Sequence, residues 1–179
     1  MQEPAALMKP TFTFRKPGKL IDGDLELVLV RTVPANPEKG YSPAYVFEMR
    51  HPGKTSPIGS IRLRIGSAAR LRYPGHIGYE VRKRSRGHRY AARSSRLLLP
   101  LALAHGLKSV WLTVDPKNIS SRKTCEIIGA NYIATVRIPK GHEMHHHGAR
   151  YRCRYRLDVK KGMSDQALPR TRARRGISR

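Results

Sequence analysis

Apolar and polar positions alternate along most of this chain, and twice the alternation gives way to helical spacing. Residues 25–31 (Leu-Glu-Leu-Val-Leu-Val-Arg) form a first predicted strand, and 45–50 a second. In 58–65, Ile61, Leu63 and Ile65 alternate with Arg62 and Arg64, the pattern of a half-buried third strand. Residues 76–81 make a fourth. Between the first two strands, Pro34, Pro37, Gly40 and Pro43 break residues 32–44 too often for a long helix. Residues 86–105 change period: Tyr90, Leu97, Leu101 and Ala104 share a core face, while Arg86, Arg89, Arg93 and Arg96 fall on a basic stripe. Pro100 is expected to kink or shorten that helix, and Gly106 to close it. A buried strand at 110–114, a short helix at 120–128 closed by Gly129, and a strand pair at 131–138 and 151–159 complete the order. Strands and helices interleaved in this way predict an α/β (α+β) domain with a mixed sheet.

Charge changes the picture. The chain carries 36 Lys and Arg against 12 Asp and Glu, a formal +24. Residues 160–179 hold seven of the basic residues and one acid, so 1–159 still carry an excess of 18. The folded part is therefore basic in its own right, and attracts polyanions through its long-range field. A general Arg-rich habit of the source proteome would leave the same composition. The 179 residues divide into an N-terminal extension at 1–20, one domain at 21–159, and a polar, basic, aperiodic tail at 160–179 expected to be disordered. The longest apolar run, 97–104, contains Pro100 and is shorter than the roughly 18 residues of a membrane helix. With no secretory pattern at the N-terminus and only Cys125 and Cys153 as thiols, the expectation is a cytoplasmic protein with no membrane contact and no disulfide scaffold.

The most informative stretch passes from strand to glycine-containing turn to helix: Ile77-Gly78-Tyr79-Glu80-Val81, then Arg82 to Arg86, Gly87, His88, Arg89, Tyr90 and Ala91. A helix N-terminus after a tight turn offers unpaired N–H groups and the positive end of its dipole to an anion. Gly87 lets the backbone approach a ligand closely. Seven Lys or Arg between 82 and 96 reinforce the attraction. Thirty-odd residues on comes a second segment, Asp115-Pro116-Lys117-Asn118-Ile119-Ser120-Ser121, with Glu126-Ile127-Ile128-Gly129-Ala130 ending its helix.

In both motifs and in their order the sequence resembles the GCN5-related N-acetyltransferase (GNAT) superfamily. That family's cofactor turn reads Arg/Gln-x-x-Gly-x-Gly/Ala, here Arg84-Ser85-Arg86-Gly87-His88-Arg89. The resemblance implies a mostly antiparallel sheet of six to seven strands flanked by helices, and acetyl transfer from acetyl-CoA to an amine within a ternary complex. Amides of the 86–91 turn (Arg86, Gly87, His88, Arg89, Tyr90, Ala91) would hold the pyrophosphate. The backbone around Val81 would hold the pantetheine arm, and Asn118 would touch the cofactor or keep the two strands apart. Arg89 stands where the pattern has Gly or Ala, and is expected to point outward along the helix. The tyrosine that often protonates the departing thiolate has Cys125 at its position, a candidate acid that also fits a buried small residue; Tyr132 is a second phenol nearby. For the general base, His76 and Glu80 share one parity on the fourth strand, with His76 preferred for its pKa near 6.5.

His142, His145, His146 and His147 invite a metal reading, but adjacent histidines of an extended segment point to opposite sides and only Glu143 accompanies them, so no metal is expected. Family acceptors are recognised by the segments that here are 32–44 and 139–150. The first is trimmed, which fits an open cleft for a protein N-terminus or lysine, a small-molecule amine, or a second copy of the chain forming a homodimer wall. Two readings of function follow: an active N-acetyltransferase, or a nucleic-acid- or ribosome-binding module on the same scaffold with weak or no catalysis.

Overall fold

The alternating runs fold into eight strands of one sheet, one more than the upper end of the expected range. The computed structural model describes residues 12–167. Strands β1 (Ile21–Asp22), β2 (Leu25–Val33), β3 (Ala44–Arg50), β4 (Pro57–Arg64) and β5 (Ile77–Val81) are antiparallel neighbours in chain order. Strand β6 (Ser109–Val114) lies parallel to β5, because two helices, α1 (Tyr90–Leu97) and α2 (Leu99–Ala104), carry the chain back across the sheet. After α3 (Ile119–Ile127), β7 (Asn131–Arg137) takes the outer edge. The return strand β8 (Tyr151–Asp158) then inserts between β6 and β7, with the short α4 (Glu143–His146) in the connection. The core packs Leu25, Tyr45, Phe47, Leu63, Leu112 and Tyr155 beneath Tyr90, Leu98 and Leu99 of the helical layer.

The helix expected over 86–105 is two helices. Its first turn is lost because Gly87 and Arg89 adopt positive φ (91° and 58°), and Pro100 enters the first turn of α2 after a break at Leu98. The basic stripe is also partly consumed. Arg93 donates to Asp22 Oδ2 and Asp24 Oδ1, each at 2.7 Å, and Arg96 donates to the Ile127 carbonyl at 2.7 Å. These arginines tie α1 to β1 and to the end of α3.

Residues 12–20 and 159–167 are more ordered than the sequence pattern suggests. Residues 12–20 are not a loose extension: Phe14 packs on the core, Leu20 is buried, and the Arg15 amide donates to the Tyr45 hydroxyl at 2.6 Å. The expected disordered tail begins as a helix, α5 (Val159–Ala167), with Val159 fully buried and Met163 packed on the core. A Cβ on Gly162 would lie 2.8 Å from Leu99 Cδ1, so α5 sits tightly on α2. The remainder of the extension and of the tail lies outside the described residues. No helix among those described is long and apolar enough to cross a membrane.

One histidine fixes where the sheet opens. Strands β5 and β6 share a single register pair, Ile77 with Leu112. Just before it, the His76 amide donates to the Trp111 carbonyl (2.7 Å) and His76 Nδ1 accepts from the Trp111 amide (3.1 Å). Nε2 donates to the Gly66 carbonyl at 3.0 Å. One ring nitrogen accepts and the other donates, which defines the neutral tautomer. Burial depresses the imidazole pKa, the nearby Arg64 adds to the depression, and the Gly66 contact opposes it. Below the ordinary imidazole pKa of about 6.5, an unfolded chain takes up a proton that native His76 refuses. The stabilisation is therefore complete above that pH and is lost as pH falls through the depressed folded value. We expect His76→Asn to lose about 1–3 kcal/mol in urea unfolding at pH 7.5, with the gap from wild type narrowing at pH 5.5. A gap independent of pH would remove this role.

Candidate active site

Past Ile77 and Leu112 the two parallel strands make no further pairs, and the gap between them leads to the turn before α1. A short 3-10 turn, Lys83–Ser85, reverses the chain after Val81. Arg86 then folds back, its Nε donating to the Val81 carbonyl at 3.1 Å. No side chain caps α1, and among the described residues the amides of 87–91 find no acceptor. These are the orphan donors that a helix N-terminus presents to an anion. A Cβ placed on Gly87 would meet nothing within 4 Å, so the turn is open on its outer side. Five unpartnered amides at the start of α1 fit the pyrophosphate of acetyl-CoA. The Tyr90 side chain is not free for a ligand: it is buried, and its hydroxyl donates to Asp24 Oδ2 at 2.7 Å. Ala91 is buried as well.

The gap also opens into a cleft of about 1060 Å³. Cross-strand register builds its floor, since directly paired residues share a face. One row is Arg31, Val46, Arg62 and Gly78, and the next is Val33, Ala44 and Arg64. Gly78 leaves room for a neighbour: a Cβ there would be 3.3 Å from Arg64 Nη1. Walls come from residues 32–44 and from α4, joined by the Tyr41 hydroxyl donating to Glu143 Oε2 at 2.8 Å. The first histidine of the 142–147 cluster caps α4, Nδ1 of His142 accepting from the Met144 amide at 3.1 Å.

The candidate chemical groups separate clearly. His76 is 1% exposed with both ring nitrogens engaged, so it is a structural staple rather than the base that its pKa suggested. Glu80 lies on the cleft face of the sheet, one row along from Gly78, opposite Ser60 and Glu48. It is exposed, and among the described residues no cation pairs with it, although seven are close in sequence. Cys125 is fully buried and does not line the cleft, so it is not placed to serve as the expected acid; burial pushes its thiol up to about 12. Tyr132 sits on β7, exposed, bonded to Thr135 Oγ1 at 3.0 Å. Asn118 lines the cleft and caps α3, its Oδ1 accepting from the Ser121 amide at 3.0 Å.

Two hydroxyls were missed. Ser121, half-buried, and Tyr79, whose phenol donates to the Ser121 carbonyl at 3.4 Å, both line the cleft where α3 meets the open strands. Burial raises the Tyr79 phenol to about 12, with the neighbouring Cys125 adding to the shift. The Asn118-x-x-Ser121 spacing was a usable signal for the serine, because an N-cap side chain bonds the residue three along. Nothing in the sequence showed that a strand tyrosine would reach the helix beside Cys125.

A mixed sheet opened at one parallel pair onto an uncapped helix is the architecture of the GNAT class. The acetyltransferase (GNAT) domain model matches residues 5–131, and the chain belongs to that family, whose members use acetyl-CoA as acetyl donor. Among solved structures, a candidate GNAT-family acetyltransferase from Chromobacterium violaceum is 13% identical over 92% of this chain and 97% of its own, with TM-score 0.57. A candidate ribosomal-protein-serine acetyltransferase from Vibrio cholerae is 14% identical over 80% and 99%, also at 0.57. The microcin C7 self-immunity acetyltransferase MccE, in complex with acetyl-CoA and AMP, is 17% identical over 64% of this chain and 61% of its own, at 0.48. Of MccE and three further acetyltransferase chains, this chain spans 60–66% of the length. No curated protein matches it.

Arg89 occupies the left-handed region at φ 58°, the only non-glycine among the described residues to do so, and its side chain is exposed and forms no hydrogen bond. That conformation costs an L-residue roughly 1–2 kcal/mol, which is a physical reason for glycine at this position. Arg89→Gly is expected to raise stability by up to about 1 kcal/mol in urea unfolding, part of the gain being offset by glycine's unfolded-state entropy. A loss of stability would show that the arginine side chain makes a contact of its own.

Proposed function

We propose that this protein is an N-acetyltransferase that moves an acetyl group from acetyl-CoA directly to an amine, both held in one complex. The observation that carries the reading is the single β5–β6 pair, with unpartnered turn amides at one end of the gap and a cleft at the other. Bound acetyl-CoA supplies an acetyl group activated as a thioester. The 87–91 amides would bind its pyrophosphate, and the open strand edges beyond Ile77 and Leu112 offer backbone groups to its arm. Leu112 and Val114, apolar and lining the cleft, limit water near the transfer point.

Proton movement is assigned to Glu80, exposed on the same sheet face beside the cleft, and to two hydroxyls that line it. The Glu80 carboxylate takes the proton of the incoming ammonium, directly or through a water. The Ser121 and Tyr79 hydroxyls are the O–H donors for the departing sulfur. A phenol raised to about 12 stays protonated through the physiological range, so Tyr79 remains a donor at working pH.

Calorimetric titration of nucleic-acid-free protein with acetyl-CoA, with ATP as a control and salt varied, tests the cofactor half. We expect acetyl-CoA-selective binding in the range of about 1–100 μM. Binding equalled by ATP and abolished by modest salt would instead favour a polyanion-binding module with little catalysis. For the chemistry, Glu80→Gln should lower kcat/KM by about 100-fold, with the acetyl-CoA dissociation constant unchanged. An unaltered kcat/KM would move the base elsewhere.

A further inference from the structure

Most cations of this protein that leave bulk water find an anion or an aromatic face. Arg93 has Asp22 and Asp24, Arg50 has Glu48, and Arg154 lies over the Trp111 ring at 4.1 Å. The cleft floor is different. Five guanidiniums line it, from Arg31, Arg62, Arg64, Arg70 and Arg152, and only Arg152 has a carboxylate, Asp115 Oδ2 at 3.5 Å. Arg64 is the extreme case, bonded only to the Pro74 and Gly75 carbonyls at 3.3 and 3.4 Å. Its burial, with Arg62 beside it, pulls the guanidinium down to about 10. The Ser42 hydroxyl, 7% exposed and without a partner among the described residues, lines the same cleft. Arg62 and Arg64 are half-buried and Arg31 and Arg70 exposed, while the two carboxylates that line the cleft, Asp115 and Glu143, are engaged by Arg152 and by the Tyr41 hydroxyl. Half-buried cations without an anion are costly, and a ligand carrying anions offsets that cost.

The spread of these groups says what kind of ligand. From Arg31 on β2 to Arg152 on β8 the sheet has five strand spacings, about 24 Å at the usual separation. One phosphate or carboxylate cannot span that distance, whereas an extended polypeptide at about 3.3 Å per residue covers it in seven or eight residues. The same field bears on the amine. A cleft floored by guanidiniums disfavours an ammonium, so an α-amine with pKa near 8 loses its proton far more readily than a lysine near 10.4.

Resting on the acetyltransferase reading above, we propose that the acceptor is the N-terminal α-amine of a polypeptide whose first residues are rich in Asp and Glu, its carboxylates held by the unpaired arginines of the cleft floor.

The test uses the full chain and a set of ten-residue peptides with one common first residue, followed by acidic, neutral or basic residues. Turnover is followed by mass spectrometry of the peptide, and binding by fluorescence anisotropy without acetyl-CoA. We expect kcat/KM for the acidic peptide to exceed that for the neutral one by at least tenfold at low salt, and the preference to shrink as salt rises. Arg62→Gln and Arg31→Gln should each raise KM for the acidic peptide several-fold while leaving the acetyl-CoA dissociation constant unchanged. An acidic peptide with a blocked N-terminus and an internal lysine should bind but not turn over. Equal rates across the set would overturn the inference and leave the transferase reading standing. Acidic-peptide binding that Arg62→Gln weakens, with no turnover of any peptide, would support the acidic docking site while removing the transferase reading. Equally strong competition by an oligonucleotide of matched charge would overturn the inference in favour of a nucleic-acid surface.

Discussion

The structure turns on the point where two parallel strands stop pairing. A parallel pair normally gains a ladder of bonds along its length, and here β5 and β6 form one register pair and part. The backbone groups beyond it need partners, since unpaired N–H and C=O groups are costly wherever water is excluded. His76 makes the abrupt opening tolerable by concentrating three hydrogen bonds at the root, two to Trp111 and one to Gly66. Gly75, at φ 68°, allows the approach: a Cβ there would lie 2.8 Å from the Trp111 carbonyl. The opening is thus held from behind by a neutral imidazole and a glycine, and its free edges are left to a ligand.

Charge is distributed by the same logic of partnered and unpartnered groups. Around α1, arginines serve as connectors, Arg93 and Arg96 fastening the helix to elements on either side of it. Of these arginines Arg93 is matched by carboxylates, Asp22 and Asp24, while Arg96 and Arg86 are held by backbone carbonyls, and the turn amides remain an anion-seeking feature beside them. On the opposite face the arginines of β2 and β4 are left without carboxylates. Two anion sites therefore sit at the two ends of one opening, one made of backbone and one of side chains. A site made of backbone amides depends little on side-chain identity, whereas in the proposed acceptor site the arginine side chains would carry the selectivity.

The fold was largely legible because period-2 alternation is a strong signal when one face is buried, and seven of the eight strands follow from it. The two-residue β1 was too short to show a period. The helix at 86–105 was placed but begun too early, because arginines at helical spacing mimic an amphipathic face whether or not the backbone is helical; the left-handed Arg89 that ends the turn has no sequence signature. Residues 159–167 carry only two large apolar side chains, Val159 and Met163, so their helix depends on the surface of α2 rather than on their own pattern. For the site, strand parity grouped His76 with Glu80, but His76 lies just before β5 and is buried. Parity does not report burial, and the 66–75 segment that covers His76 is remote from any local pattern. Cys125 against Tyr79 is the sharper example: a helix position that lost a phenol has its neighbour supplied by a strand more than forty residues earlier, and only packing reveals it.

Cleft depth and cleft charge then act on the same reaction step. An amine must shed a proton before it can attack, and the group proposed to take it, Glu80, is a single exposed carboxylate. Guanidiniums on the floor shift the amine's own equilibrium toward the neutral form, so less is asked of that carboxylate. The same guanidiniums would repel a cationic acceptor before it reached the opening. In the proposed reaction, selection of the acceptor and activation of its amine would be two consequences of one arrangement, arginines on β2 and β4 placed by cross-strand register beside the glycine that opens the floor.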